Sequence, residues 1–404
     1  MLRENCAGCG AGLHDMEIFL NLGKTPLANS FTTEPFDPAE VFYDLSVLVC
    51  RQCFLVQLYQ VIPGDLMFNK EYTFYSGTSP EKVRYHQRYA KELIQGHVQA
   101  PRLTVEIGSN DGDLLRHFEE IGWPVLGVDP SEGPAEVAIE RGVPTITEPF
   151  GYAQATAIRE SHGQAGLIIA NHVLAHVHDP LDFLRGIEHL LTPDGLAVIE
   201  VQYLGDLIAG NAFDHIYHEH RFYFSLYSLQ QLLERANLYV RWARLTEPQG
   251  GSLQVAVVKN RQRWPGNFMI GQEKWLTDIA TYHSFQGRVR HVASALKRLL
   301  TAGWTDGKLA GYGAAAKSTT LLNFCQIDDT ILSYVVDTTP AKIGKFTPGT
   351  GIPIISPEQE QERGYPEAYL LLAWNYLGPL LRRSDITTEH STRWIVPIPM
   401  PVIL

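Results

Sequence analysis

The sequence predicts an α/β protein in three parts: a small cysteine-rich N-terminal module, a central doubly wound parallel sheet, and a second, smaller parallel-sheet unit. Three observations carry this. Two C-x-x-C pairs stand within the first 53 residues. From residue 103 onward, short β-type runs alternate with helical segments, as in a parallel sheet covered on both faces. After a glycine-containing break at residues 301–308 the alternation starts afresh. A chain of 404 residues has room for two or three domains.

Composition narrows the class. With 45% hydrophobic and 19% charged residues, the chain is neither disordered nor fibrous. No apolar run reaches the roughly 18–20 residues that span a bilayer. The start, MLRENCAGCG, lacks the basic and apolar regions of a secretion signal, so a cytoplasmic protein is expected. A net charge of -11 with no basic stripe places small-molecule chemistry ahead of nucleic-acid binding.

The N-terminal module is expected over residues 1–68. Cys6 and Cys9 form the first pair, and Cys50 and Cys53 the second. Four thiolates in two such pairs suit a tetrahedral zinc ion with no open position, hence a structural site. A redox dithiol, which needs no second pair, and two unrelated pairs are the rival readings. Cys325 stands alone in an apolar segment and reads as a buried thiol. Residues 41–49 read as a strand feeding the second pair.

The central unit is expected over residues 69–259. Residues 80–99 show helical spacing through Val83, Tyr85, Tyr89, Leu93 and Ile94. Strands are expected at 103–107, 125–129, 166–171, 195–201 and 253–259. The turn Val105-Glu106-Ile107-Gly108-Ser109-Asn110-Asp111-Gly112 joins the first strand to a helix, and its glycines let a ligand approach the backbone. Asp129 closes the next strand, where a carboxylate can accept both ribose hydroxyls of an adenosine. This turn with its Asp resembles class I S-adenosylmethionine-dependent methyltransferases. That likeness implies a cofactor site of Glu106, Gly108, Asn110, Asp111, Gly112 and Asp129, with Phe150 toward adenine and Asn171 toward the methionine part.

The C-terminal unit is expected over residues 260–404, with a long amphipathic helix near 272–301 and strands at 309–313, 331–337, 368–374 and 393–398. Gly311-x-Gly313-x-x-Ala316 with Asp337 matches a dinucleotide fingerprint, so an NAD(P)-dependent nucleotide-sugar oxidoreductase is a rival reading. Lys317-Ser318-Thr319 at a helix start also suits the phosphates of a sugar nucleotide. A ligand-free unit is the plain alternative.

Residues 213–227, FDHIYHEHRFYFSLY, crowd Asp214, His215, Tyr217, His218, Glu219 and His220 among aromatics. So many titratable groups in apolar company need partners or a use. A histidine base, with a neighbouring Glu fixing its tautomer and a Tyr donating to a developing oxyanion, is the favoured reading. A second metal site from His215, His218 and His220, and a purely structural network, are the alternatives. His172, His176 and His178 follow the Asn171 strand end, where His176 is placed to relay a proton.

Taken in order, the cysteine pairs, VEIGSNDG, IYHEH and GYGAAAKSTTLLN resemble the C-methyltransferases acting on nucleotide-linked 4-keto-deoxyhexoses, including the deoxysugar C-3 methyltransferases of antibiotic biosynthesis. The resemblance covers nearly the whole chain. It implies a zinc-bearing N-terminal domain, a central methyl-donor domain and a Rossmann-like C-terminal domain. It also implies S-adenosyl-L-methionine as cofactor and a nucleotide-linked ketosugar, TDP-linked in the first instance, as substrate. By that likeness Tyr217, Glu219 and His220 form the catalytic group with His220 as base and His176 nearby, and Tyr72, Tyr75 and Ser76 lie over the substrate. A zinc-bearing rRNA methyltransferase and a non-catalytic S-adenosylmethionine-binding scaffold are the remaining alternatives. Acidic charge opposes the first and the presence of a base opposes the second.

Overall fold

The structure, a computed structural model, describes residues 1–67, 75–78, 80–96, 102–246, 251–261, 271–304, 308–381 and 392–404. At the N-terminus β1 (Met16–Thr25), β2 (Tyr43–Cys50) and β3 (Val56–Leu58) pair antiparallel. The strand expected before the second cysteine pair is β2. β1 has no counterpart in the sequence reading. Register shifts between Ile18 and Leu20, and between Asn21 and Lys24, break the two-residue period that would have marked it.

The central unit contains β4 (Thr104–Ile107), β5 (Val125–Val128), β6 (Thr145–Ile146), β7 (Ala165–Asn171) and β8 (Leu191–Gln202), all parallel. β9 (Phe222–Tyr223) leaves this unit and pairs with β3, completing the N-terminal sheet. β10 (Tyr239–Thr246) and β11 (Ser252–Val258) return to it antiparallel, giving the order β10-β11-β8-β7-β4-β5-β6. All four β4 residues are buried, as expected for an inner strand covered on both faces. The ends of β4 and β7 therefore open onto the edge where ligands bind in such sheets.

A 23-residue helix, Ile279–Thr301, leads out of the central unit. It starts later than expected because Asp278 captures the Ala280 N–H at 3.0 Å and sets the helix start there. Tyr282, Phe285, Val289, Val292, Leu296 and Leu300 form its buried stripe, and Phe19 of β1 meets Tyr282 with ring centroids 5.0 Å apart. Arg288 donates to Asn211 Oδ1 and to the Ile208 carbonyl, both at 2.8 Å.

The last sheet contains β12 (Leu309–Tyr312), β13 (Val335–Val336), β14 (Ile354–Ile355), β15 (Ala368–Leu371), β16 (Arg393–Val396) and β17 (Val402–Ile403). Its order is β14-β13-β12-β15-β16-β17, parallel except for β17. β13 is shorter than the strand expected at 331–337. The N–H groups of Ile331 and Leu332 turn back to the Asp328 carbonyl and leave the ladder. Among the described residues, no helix is long and apolar enough to cross a membrane.

Candidate active site and metal centre

The four paired cysteines meet in one place. Cys6 and Cys9 lie on the turn before β1, Cys50 ends β2, and Cys53 lies on the turn into β3. The Sγ atoms of Cys6 and Cys53, and those of Cys9 and Cys50, are each 3.6 Å apart, and all four lie within 4.8 Å of one another. Zinc–thiolate bonds of about 2.3 Å at tetrahedral angles put sulfurs about 3.8 Å apart. The cluster therefore fits zinc with every coordination position filled by protein. Among the described residues it is the group able to hold a metal. His215, His218 and His220 do not form a second one. They take separate partners: the Gln202 side chain, the Asp44 carbonyl and Tyr217.

At the β4 edge, Gly108 has φ +72 and a Cβ there would lie 2.3 Å from Val173 Cγ2, so this turn requires glycine. Asp129 accepts the Asn110 N–H at 2.9 Å on one oxygen and the Ser131 N–H at 2.8 Å on the other. The Ser131 side chain also bonds this carboxylate, whose remaining lone-pair capacity is open to a ligand hydroxyl. The Asn110 and Asp111 side chains face the other way. Asn110 Oδ1 accepts the Ser76 N–H at 2.7 Å, and Asp111 accepts the Gly77 N–H at 2.9 Å while pairing with Arg141 at 3.1 Å. A Cβ on Gly77 would stand 2.7 Å from Asp111 Oδ2, so the closeness of this docking depends on glycine. Ser76, placed over the substrate by the sequence reading, is thus tied by its backbone to the β4 turn. Tyr75 precedes it, half-buried, and Tyr72 lies outside the described residues. Phe150 packs edge-on to Phe183 at 5.4 Å, away from the β4 turn in sequence and at the start of the following helix.

Sequence reasoning placed Glu106 at this edge but missed Lys82 and Glu200 beside it. Glu106 is 5% exposed, and burial, then the nearby Asp129, raises its carboxyl well above the usual range. Lys82 is drawn down to about 8 by burial, opposed by Asp111, Glu106, Glu200 and Asp113. Glu200, at the end of β8, accepts from Tyr85 at 2.8 Å, His172 at 3.1 Å and Gln254 at 2.6 Å. Burial works to raise it, but these bonds hold it below the usual value. The strand run GLAVIEV carried Glu200 in plain view, an acid inside an apolar strand.

The histidine-rich segment crosses beside the β7 end. His220 donates from Nδ1 to the His215 carbonyl at 3.0 Å and accepts the Tyr217 hydroxyl on Nε2 at 2.8 Å. Its tautomer is thereby set, with the lone pair on Nε2. The sequence reading gave that task to the neighbouring glutamate, but a backbone carbonyl performs it. The Glu219 carboxyl turns instead to Asn29, which donates to Oε1 at 2.6 Å. Burial, opposed by that bond, pushes Glu219 up to about 7. His176 donates from Nδ1 to the Glu219 carbonyl at 2.7 Å, and its ring centroid lies 4.9 Å from that of His220. Burial draws His176 down to about 4 and His220 well below the ordinary histidine value, so both are neutral near pH 7. Lys317 reaches this region from the third unit. Its ammonium bonds Asn375 and lies 4.2 Å above the Trp374 ring, and burial lowers it to about 8 against the pull of Asp214.

A seven-stranded sheet with this turn and strand-end carboxylate, joined to a four-cysteine module, defines an S-adenosylmethionine-dependent methyltransferase of the class I fold with a structural zinc. Models of three families match in order: a putative zinc binding domain over residues 6–68, a methyltransferase domain over 83–241, and a C-methyltransferase C-terminal domain over 247–399. The C-methyltransferase NovU of Streptomyces niveus is 36% identical over 412 residues, covering 99% of this chain and 97% of that protein. The chain belongs to the S-adenosylmethionine-dependent C-methyltransferases.

More distant likenesses are confined to part of the chain. A ubiquinone biosynthesis O-methyltransferase of Ruegeria pomeroyi is 32% identical over 23% of this chain and 38% of its own. A Burkholderia thailandensis 1,6-didemethyltoxoflavin-N1-methyltransferase is 18% identical, covering 56% of this chain and 100% of its own with a TM-score of 0.38. The magnesium protoporphyrin IX methyltransferase of Synechocystis is 13% identical over 44% of this chain and 79% of its own, with a TM-score of 0.34. The match of residues 247–399 to a C-methyltransferase C-terminal domain replaces the oxidoreductase reading of the third unit.

The residues at the β4 edge fit the cofactor. Glu106 Oε2, Ser109 Oγ and both amide atoms of Asn171 are buried without a hydrogen-bond partner. A ligand carrying hydroxyl, ammonium and carboxylate groups supplies partners for such atoms, which otherwise cost about 1–3 kcal/mol each.

Two measurements follow. Metal analysis is expected to give about one zinc per chain, and Cys50→Ser is expected to lower both the zinc content and the melting temperature. Asp129→Ala is expected to weaken S-adenosylmethionine binding by about ten- to a hundredfold in calorimetry, through loss of about 1.5–3 kcal/mol of charge-assisted hydrogen bonding. Asp337→Ala, in the other unit, is expected to leave that affinity unchanged. There Asp337 accepts the Ala314 N–H at 2.7 Å and the Thr339 N–H at 2.8 Å.

Proposed function

We propose that this enzyme methylates C-3 of a nucleotide-linked 4-keto-deoxyhexose through an enolate, with His220 as the general base. The carrying observation is the Tyr217–His220 pair, a neutral imidazole with its Nε2 lone pair capped by a phenol hydroxyl at 2.8 Å. A base of this kind suits a carbon acid. The proton beside a ketone is acidic enough for imidazole to remove, and the carbonyl oxygen takes up the charge.

In this reading the ketosugar displaces the Tyr217 hydroxyl from His220. Nε2 then takes the C-3 proton, and Tyr217 turns its O–H to the developing oxyanion. The His215 carbonyl accepts from Nδ1 throughout and stabilises the imidazolium that forms. His176, 4.9 Å away between ring centroids, is the neighbouring imidazole for onward transfer of that proton. When bound, S-adenosylmethionine supplies the electrophilic methyl group taken by the enolate carbon. Glu106, Asp129 and Asn171 hold the donor, Asn110 orders the turn through its bonds to Asp129 and Ser76, and Gly108 and Gly112 allow the backbone to approach it. Asp111 shapes the same turn, and Phe150 flanks its adenine side. Tyr72, Tyr75, Ser76 and Lys317 serve the acceptor, with Lys317 directed at the phosphates.

A nucleotide-linked ketosugar is supported by three features: a base suited to a carbon acid, a buried cation on a helix start, and whole-chain likeness to a C-methyltransferase. The domain limits proposed are residues 1–68, 69–259 and 260–404.

Deuterium exchange tests the base separately from methyl transfer. With a non-reactive donor analogue bound, wild-type enzyme is expected to wash deuterium into C-3 of a TDP-4-keto-deoxysugar, and His220→Asn is expected not to. Methyl transfer by His220→Asn is expected to fall about 10²–10⁴-fold, with donor affinity unchanged. Full exchange by the variant places the base elsewhere. Because burial holds His220 neutral, the acid limb of wild-type activity is expected to lack a midpoint near 6.5 belonging to this imidazole.

A further inference from the structure

We propose that Asn29, on the loop that follows β1 of the zinc-binding module, is a positioning residue for methyl transfer whose carboxamide holds and orients the Glu219 carboxyl group. The inference rests on the reading of residues 217–220 as the reacting group. No family motif singles out Asn29, and it lies 190 residues from its partner.

Geometry carries the case. Asn29 Nδ2 donates to Glu219 Oε1 at 2.6 Å, and the Glu219 side chain is in a residue only 5% exposed. The loop that presents Asn29 is pinned on both sides. The Ala28 carbonyl accepts the Thr319 hydroxyl at 2.9 Å, and Thr32 exchanges backbone hydrogen bonds with Phe346 at 3.3 and 2.9 Å. The next residue of the same helix, Thr320, donates to the Ile216 carbonyl at 2.7 Å, immediately before Tyr217. One turn of the C-terminal unit thus grips both the loop carrying Asn29 and the segment carrying Tyr217, Glu219 and His220. The amide is delivered to the carboxyl by a brace between three units.

The chemistry follows from what surrounds Glu219. From the 26–32 loop, Asn29 meets its carboxyl. From the loop after β7, His176 meets its backbone carbonyl. On its own segment, His220 is neutral. Burial and the Asn29 bond are the influences acting on this carboxyl, and they oppose each other. An N–H donor favours the ionised form, so Asn29 keeps the group exchanging protons near neutrality where burial alone would lock it protonated. It also commits Oε1.

The test follows Glu219 directly. In protein carrying ¹³C-labelled glutamate, the Glu219 carboxyl resonance, assigned by its absence in Glu219→Gln, is titrated with pH. The wild-type midpoint is expected near 7, and in Asn29→Leu it is expected about one to two pH units higher. If Asn29→Leu does not fold, Asn29→Asp replaces it, with an upward shift again expected because a second carboxylate faces the first. Zinc content and donor affinity are expected to match wild type. In the turnover assay, adding Asn29→Leu to Glu219→Gln is expected to cause no further change in kcat. An unmoved Glu219 midpoint overturns the proposal, as does a kcat loss that persists in the Glu219→Gln background. The carboxyl titration needs no ketosugar, so it decides the role of Asn29 even where the proposed substrate fails to turn over.

Discussion

Residues 214, 215 and 218–221 place three histidines, two acids and an arginine in positions less than 10% exposed. Polar groups in such surroundings must find partners or lose stability. The partners come from all three units. The N-terminal module supplies Asn29, Asp44 and the Ile62 carbonyl; the central unit supplies Gln202 and His176; the C-terminal unit supplies Trp374 and Thr320. The units thus satisfy much of one segment between them, while Asp214 Oδ1, His215 Nε2, His218 Nδ1 and Arg221 Nε stay buried without a hydrogen-bond partner. The site and the interdomain packing are one hydrogen-bonded structure.

The same burial sorts the protonation states. Burial holds His176, His215, His218 and His220 neutral, and His172 lies 28 residues from Glu200 in sequence but 3.1 Å from it in space. Glu106 is pushed toward the protonated form by burial, and Lys82 weakens that push.

Much of this was legible in the sequence. The cysteine spacing identified the metal site because thiolates in two C-x-x-C pairs have few other uses. Strand–helix alternation gave the central and C-terminal sheets, and the glycine turn with Asp129 falls at the carboxyl edge of the central one. The illegible parts depend on distant contacts. β1 is concealed by bulges, β13 by a local turn, and β9 is two residues long and exists through β3. Asn29 could not be read as part of the site because nothing local distinguishes TPLANSF from an ordinary loop. Asn110 and Asp111 were read from the turn as cofactor residues, yet their side chains dock Ser76 and Gly77, a use that spacing cannot reveal.

The pairing of Val56 with Tyr223 and of Gln57 with Phe222 has a bearing on how the chain is made. A growing polypeptide presents its cysteine module to the solvent long before residue 222 leaves the ribosome. Until then β3 is an unprotected edge, open to partners other than its own. Contacts this remote in sequence close slowly because the intervening chain must first be ordered. Zinc capture can stabilise the nascent module during that wait, but its sheet is finished only when the central unit has been synthesised. The histidine-rich segment therefore runs directly into the last strand of the first sheet, and the two mature together.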